Sequence, residues 1–177
     1  VAGTGSSSVL KTCFGTPVQL YATGGTNFKW NNGTSLSNDT IFNPFANPDV
    51  PTQYKVVVEG ACEVKDSAYI TVVVSTPISA NFSTDKVIGC APLTVDFTDH
   101  SSGVYTWQYD FGDSTALVNY DIDLATLTIF PPPVGGVTTH VFNNPYSIPI
   151  TYHVQLLVKN KDQCSELYYK DILVYPS

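Results

Sequence analysis

The feature that most constrains this chain is its hydrophobic period: apolar residues recur at every second position, and no stretch sustains the i, i+3, i+4, i+7 spacing of a helix. Val18 and Leu20, Phe28 and Trp30, Tyr54, Val56 and Val58, then Ala68, Ile70, Val72 and Val74 form a first series. Ala80 and Phe82, Leu93, Val95 and Phe97, Tyr105, Trp107, Tyr109 and Phe111, and Tyr152, Val154, Leu156 and Val158 form a second, closing with Leu167 to Tyr175. Period two sends alternate side chains to opposite faces, so each run reads as a strand with one face in a core. The segments between carry turn chemistry, among them Gly24-Gly25, Asn32-Gly33, Asn43-Pro44 and Asn47-Pro48. The expectation is an all-β chain whose strands have the number and spacing of small sandwiches.

The same order of features occurs twice. A cysteine (Cys13, Cys90) precedes an alternating strand, and a strand holding a tryptophan (Trp30, Trp107) follows. After a variable region comes a strand opened by a tyrosine (Tyr54, Tyr152), then a second cysteine (Cys62, Cys164) and a closing strand. In 177 residues this duplication predicts two tandem sandwiches, 1–75 and 76–177, with a short linker at Ser75-Thr76-Pro77 that proline stiffens. Four cysteines allow three pairings, and spacing alone does not choose among them. The repeat chooses Cys13 with Cys62 and Cys90 with Cys164, each bridge inside one domain. Bridges imply a compartment outside the reducing cytosol, whereas a metal site would require C-x-x-C or H-x-x-x-H spacing that the sequence lacks.

Composition removes several classes of function. The net charge is −7, there is no arginine, and the 8 lysines are scattered singly, so nucleic acid is excluded as a partner. No apolar window has the length of a transmembrane helix, which excludes insertion of that kind. The chain begins with Val1, contains no methionine and shows no basic-then-apolar leader, and it reads as a processed piece of a longer protein. His100, His140 and His153 share no metal spacing, no G-x-S-x-G elbow occurs, and Glu59, Glu63 and Glu166 are the only glutamates. The expectation is a non-enzyme with no catalytic residues and no cofactor. Asp110, Asp113, Asp121 and Asp123 form the one acidic cluster that calcium could use, set against the commoner role of such acids as solvated loop residues.

The segment Trp107-Gln-Tyr-Asp-Phe-Gly-Asp-Ser114 resembles the signature of PKD domains, immunoglobulin-like sandwiches of bacterial surface proteins and secreted enzymes. Tyr109 stands in the usual tryptophan place, Asp110, Phe111, Gly112 and Asp113 match, and Ser114 replaces a final glycine. Ala80-Asn-Phe-Ser83, Cys90-Ala-Pro-Leu-Thr-Val95, His140-Val-Phe142 and Thr151-Tyr-His-Val154 flank it as the family's segments do. The first half is similar to the immunoglobulin-like repeats beside such domains in large Bacteroidetes adhesins, including gliding-motility proteins exported by type IX secretion. That resemblance rests on Cys13-Phe-Gly15, Val18-Gln-Leu20, Phe28-Lys-Trp30, Pro51-Thr-Gln-Tyr54, and Cys62 with Asp66 to Val74. It implies an extracellular location and calcium binding in some members. From the residues themselves, Phe111 shares the inward parity of Trp107 and Tyr109, Gly112 permits a special turn, and Asp110 and Asp113 accept turn amides. Trp30 and Trp107 read as core residues, and Tyr54 and Tyr152 have the position of a tyrosine corner.

The second half is longer by about 25 residues, most of them between Asp113 and His140, and the insertion is placed at about 115–139. Thr126-Leu-Thr-Ile129 within it predicts a short added strand, and Tyr120, Asp121, Asp123 and Phe130 are its candidate partner surface. The leading reading is a disulfide-stabilised structural and adhesion module, a spacer of a bacterial surface adhesin stacked against neighbouring repeats of the same chain. Surface polysaccharide or another surface protein is its expected ligand class. The alternative is a carbohydrate- or protein-binding accessory module of a secreted hydrolase, which a row of exposed aromatics on one sheet face would favour.

Overall fold

A computed structural model describes residues 7–60, 64–123, 128–129 and 135–177. The chain divides into two compact units, Val1–Thr76 and Pro77–Ser177. In the first, period-two segments become β1 (Ser7–Thr12), β2 (Val18–Gln19), β3 (Asn27–Trp30), β4 (Phe45–Ala46), β5 (Thr52–Glu59) and β6 (Lys65–Val74). One sheet runs β1-β6-β5-β3, and β2 pairs with β4 in the other. The β2–β4 ladder continues beyond the strand ends, with the Leu20 amide donating to Pro44 O and the Ala22 amide to Phe42 O. Leu20, Trp30, Tyr54, Val56, Val58 and Val72 fill the space between the sheets, all of them residues that the alternation points inward. Trp30 donates its indole N–H to Ile41 O at 2.8 Å, and the Tyr54 hydroxyl lies 2.7 Å from Ser35 Oγ. Both bring large apolar area into the core without leaving a polar atom stranded.

The second unit contains β7 (Phe82–Thr84), β8 (Ile88–Cys90), β9 (Leu93–Asp99), β10 (Thr106–Asp110), β11 (Val118–Asp123), β12 (Thr128–Ile129), β13 (Val137–Phe142), β14 (Ile150–Lys159) and β15 (Ser165–Tyr175). A sheet of order β13-β9-β7 faces one of order β12-β11-β10-β14-β15-β8. This division of strands is that of an immunoglobulin-like sandwich, with β11 and β12 extending the sheet beside β10 as in the variable-type arrangement. Phe82, Phe97, Tyr109, Phe111 and Phe142 interlock in the core with ring centroids 5.2–6.3 Å apart. Edge-to-face and offset contacts at these separations add to the burial of each ring. Asp99 is fully buried at the end of β9, where its carboxylate accepts from Ser101 Oγ at 2.7 Å, the Ser101 amide at 3.3 Å and Trp107 Nε1 at 3.3 Å. Those donors replace the water that a buried carboxylate gives up.

In both units an early edge strand is parallel to the last strand: β1 lies on β6 with Thr12 opposite Val74, and the three-residue β8 lies on β15 with Cys90 opposite Tyr175. This corrects one expected bridge. Cys164 is disulfide-bonded, but Cys90 is a free, exposed thiol, so Cys90 and Cys164 are not joined. Cys164 precedes Ser165 at the start of β15, whereas Cys90 is level with its end. Strand rise over that length separates them by roughly 35 Å, far beyond the reach of a disulfide. In the first unit Cys13 follows Thr12 at the end of β6, while Glu59 and Lys65 pair at the other end, roughly 30 Å away. Cys62, its expected partner, lies outside the described residues.

Candidate functional site

The segment after β10 is built by two carboxylates that close turns. The Gly112 amide donates to Asp110 Oδ1 at 2.9 Å, and the Thr115 amide and hydroxyl donate to Asp113 Oδ1 at 3.1 and 2.6 Å. Each is the local Asx-type bond that the short Asp side chain favours. Gly112 has φ +72°, and a Cβ there would stand 2.8 Å from His153 O on β14, so the position requires glycine both for its backbone and for the close approach. Ser114 also has a positive φ of 65°, a conformation that glycine adopts without a Cβ clash.

The second oxygen of Asp113 reaches across the sandwich to β13, where His140 Nε2 lies 2.7 Å from Oδ2. The imidazole stacks on Phe111 at 3.9 Å between centroids with planes 6° apart. The two partners are 9% and 14% exposed at the side chain, which shields the pair from solvent. Burial works to raise the Asp113 carboxyl, but hydrogen bonds from Thr115 and His140 outweigh it and hold the group below the ordinary range. Tyr109, Asp110, Phe111, Gly112 and Asp113 therefore work as a structural unit that fastens the end of β10 to β13 and β14. His140 is the member that sequence reasoning missed. Its sequence signal was the place of His140-Val-Phe142 in the resemblance, but nothing local shows that it faces Asp113.

Burial, first, and then the Asp99 carboxylate and Tyr120 push the Tyr109 phenol far up, and its buried hydroxyl has no hydrogen-bond partner among the described residues. The phenol therefore keeps its proton at neutral pH. Tyr152 makes the tyrosine corner, donating its hydroxyl to Asn143 O upstream, whereas Tyr54 bonds a serine side chain instead.

The four acids proposed for calcium do not gather. Asp110 and Asp113 are committed to the turn, and Asp121 stands opposite Thr106, four residues along β10 from Asp110 and so roughly 13 Å away. Asp123 pairs with Thr128 further still along the hairpin, and its side chain is outside the described set. Among the described residues no group of three or more His, Cys, Asp or Glu could hold a metal ion.

The expected partner surface is also redistributed. Residues 118–123 are a sheet strand, so alternate side chains turn inward: Tyr120 packs against the core and its hydroxyl lies 3.1 Å from Thr138 Oγ1. Asp121 is exposed, and Phe130 lies outside the described residues. Of the short strand expected over Thr126–Ile129, Thr128–Ile129 is present as β12, pairing Ile129 with Ile122 on the sheet edge, and Thr126 and Leu127 lie outside the described residues. What the insertion does build is a shallow groove of about 220 Å³ on the outer face of β10, β11 and β14, lined by Thr106, Gln108, Asn119, Asp121, Leu157 and Lys159. Gln108 and Asn119 hold each other across it at 2.8 Å.

No family model and no curated protein matches this chain. Among solved structures it is similar to the PKD1 domain of Vibrio anguillarum Epp, at 15% identity and a TM-score of 0.38 over 58% of this chain and 99% of that one. The amphioxus IgVJ-C2 molecule is similar at 12% identity and 0.36, over 92% and 99% of the two chains. Murine CEACAM1b is similar at 10% identity and 0.38, over 94% and 96%. The fold assignment rests on the strand order described above.

Proposed function

We propose that this chain is a non-enzymatic extracellular structural module, a spacer of a bacterial surface adhesin. The observation that carries this reading is the parallel pairing of the first strand with the last in the first unit, which three-residue β8 repeats against β15 in the second. Because β1 and β6 run in the same direction, the chain starts at one end of the sandwich and leaves at the other, a span of roughly 30 Å for β6. The pairing of β8 with β15 has the same consequence in the second unit. Tension on the termini then runs along these ladders and loads their hydrogen bonds together, and the parallel strands slide only if several break at once. The Asp113–His140 contact adds a tie between the two sheets.

Pulling the chain from its termini tests the proposal. Handles on Lys55 and Tyr69, which are opposite each other across β5 and β6, would open that ladder one bond at a time. Unfolding of the first unit should need several times more force through the termini than through these handles. Equal forces would sink the spacer reading.

The accessory-module reading is supported by the groove and by Tyr169, 70% exposed on β15 beside Gln155 of β14. Amide and hydroxyl side chains next to an exposed ring suit a carbohydrate. Titration with soluble oligosaccharides, read by NMR, should then shift the Gln108 and Asn119 side-chain amides, and Asn119→Ala should abolish the shifts. Unperturbed amides throughout would reject it.

A further inference from the structure

The amides of Asp99, which donates to Gly136 O, and of His100 and Asp85, which bond Asn81 and Asp96 on the other side, fix the hydrogen-bond phase of β9. Odd-numbered residues of β9 face β13, and even-numbered ones face β7. With Val137 opposite Thr98 and Thr139 opposite Asp96, the backbone groups of Val137, Thr139 and Val141 point away from β9, into an edge that no strand covers among the described residues. An uncovered edge of this kind is a template for another strand. The other edges open among the described residues are guarded: β2, β3, β4, β7, β8 and β12 have two to four residues, and β1 carries Lys11. Only β13 among them is six residues long with no carboxylate or lysine and no proline.

We propose that β13 joins two copies of this chain, in antiparallel register about Thr139. The occupant follows from self-complementarity. With Thr139 opposite its own copy, Val137 falls opposite Val141 and Val141 opposite Val137, and every outward backbone group finds a partner. Val137 and Val141 are 54% and 44% exposed, so the pairing places β-branched side chains against each other on the outer face and a threonine against a threonine. Within the paired strands no carboxylate or lysine faces another, and salt screens the overall −7 on each copy. The nearest carboxylate, Asp96, lies one strand behind β13 and is held by Thr139 Oγ1 at 2.6 Å. Three strand spacings put the two copies of Asp96 roughly 14 Å apart, beyond the screening length at ordinary ionic strength. This inference is independent of the spacer reading, since it concerns contact between chains and not load along one.

Sedimentation velocity of the full chain from micromolar to about millimolar concentration is the test, a range suited to a small interface. The wild type should move from monomer to dimer across the series. Val137→Lys with Val141→Lys sets like charges across both cross-strand pairs and should weaken dimerisation about ten-fold or more. Val137→Lys with Val141→Glu sets opposite charges across the same pairs and should restore it. All substitutions are at exposed sites, and circular dichroism checks that the fold is kept. A wild type that stays monomeric at the highest concentration, or a double-lysine variant that dimerises like the wild type, would overturn the proposal. So would a charge-swapped variant no better than the double-lysine one, since the register about Thr139 would then be wrong.

Discussion

Replacing Asp113 with alanine removes an acceptor from three donors at once: the Thr115 amide, the Thr115 hydroxyl and His140 Nε2. The threonine groups can turn to water, but the imidazole is held between Phe111 and the sheet and is mostly shielded. One stranded donor costs about 1–3 kcal/mol, and losing the turn bond adds a further cost of about 1 kcal/mol. An expected loss near 3 kcal/mol would lower the melting temperature of a unit this size by roughly 10–20 °C. The sign with pH follows from the direction of the Asp113 shift. Its carboxyl is held below the unfolded value of 3.8, so its stabilisation is full above that value and disappears as pH falls through the folded one. The gap between wild type and Asp113→Ala should therefore be widest near neutral pH and shrink below pH of about 4. Urea unfolding read on the two indole N–H resonances separates the units, since Trp30 is in the first core and Trp107 in the second. The Trp107 transition should move and the Trp30 transition should not. A change under about 0.5 kcal/mol at pH 7, or a cost as large at pH 2.5 as at pH 7, would refute the reasoning.

Other substitutions probe the same turn and the thiol. Ser114→Gly relieves a side chain at φ 65° and should raise the urea midpoint of the second unit, by about 0.5–1 kcal/mol of stability after the entropy cost of glycine. Gly112→Ala combines a positive φ with a Cβ 2.8 Å from a backbone oxygen and should cost at least about 2 kcal/mol, measured the same way. Iodoacetamide on the folded, unreduced chain should alkylate the peptide holding Cys90, while the Cys164 peptide becomes reactive only after reduction; the reverse pattern would contradict the free thiol.

Period two in a chain without helical spacing determined much of this protein: the strands, their inward faces and two cores. Trp30, Tyr54, Trp107, Tyr109 and Phe111 are buried where parity puts them, because in a strand the face of a residue is fixed by its neighbour. The turn chemistry of Asp110, Gly112 and Asp113 was legible for the same reason, since its bonds reach only two residues. Contacts that depend on which strand lies beside which were not. The repeat aligned Cys90 with Cys164 along the sequence, but parallel pairing of β8 with β15 put them at opposite ends of a sheet. Four aspartates close in sequence were spread along β10 and a hairpin, because a strand advances more than 3 Å per residue. Tyr120 belongs to the insertion's expected partner surface by sequence, but pairing with β10 makes it a core-facing strand residue. The partnership of Asp113 with His140, 27 positions apart, exists only because the two sheets face each other. The edge that β13 leaves unpaired among the described residues is a fact of strand order, which local sequence does not encode.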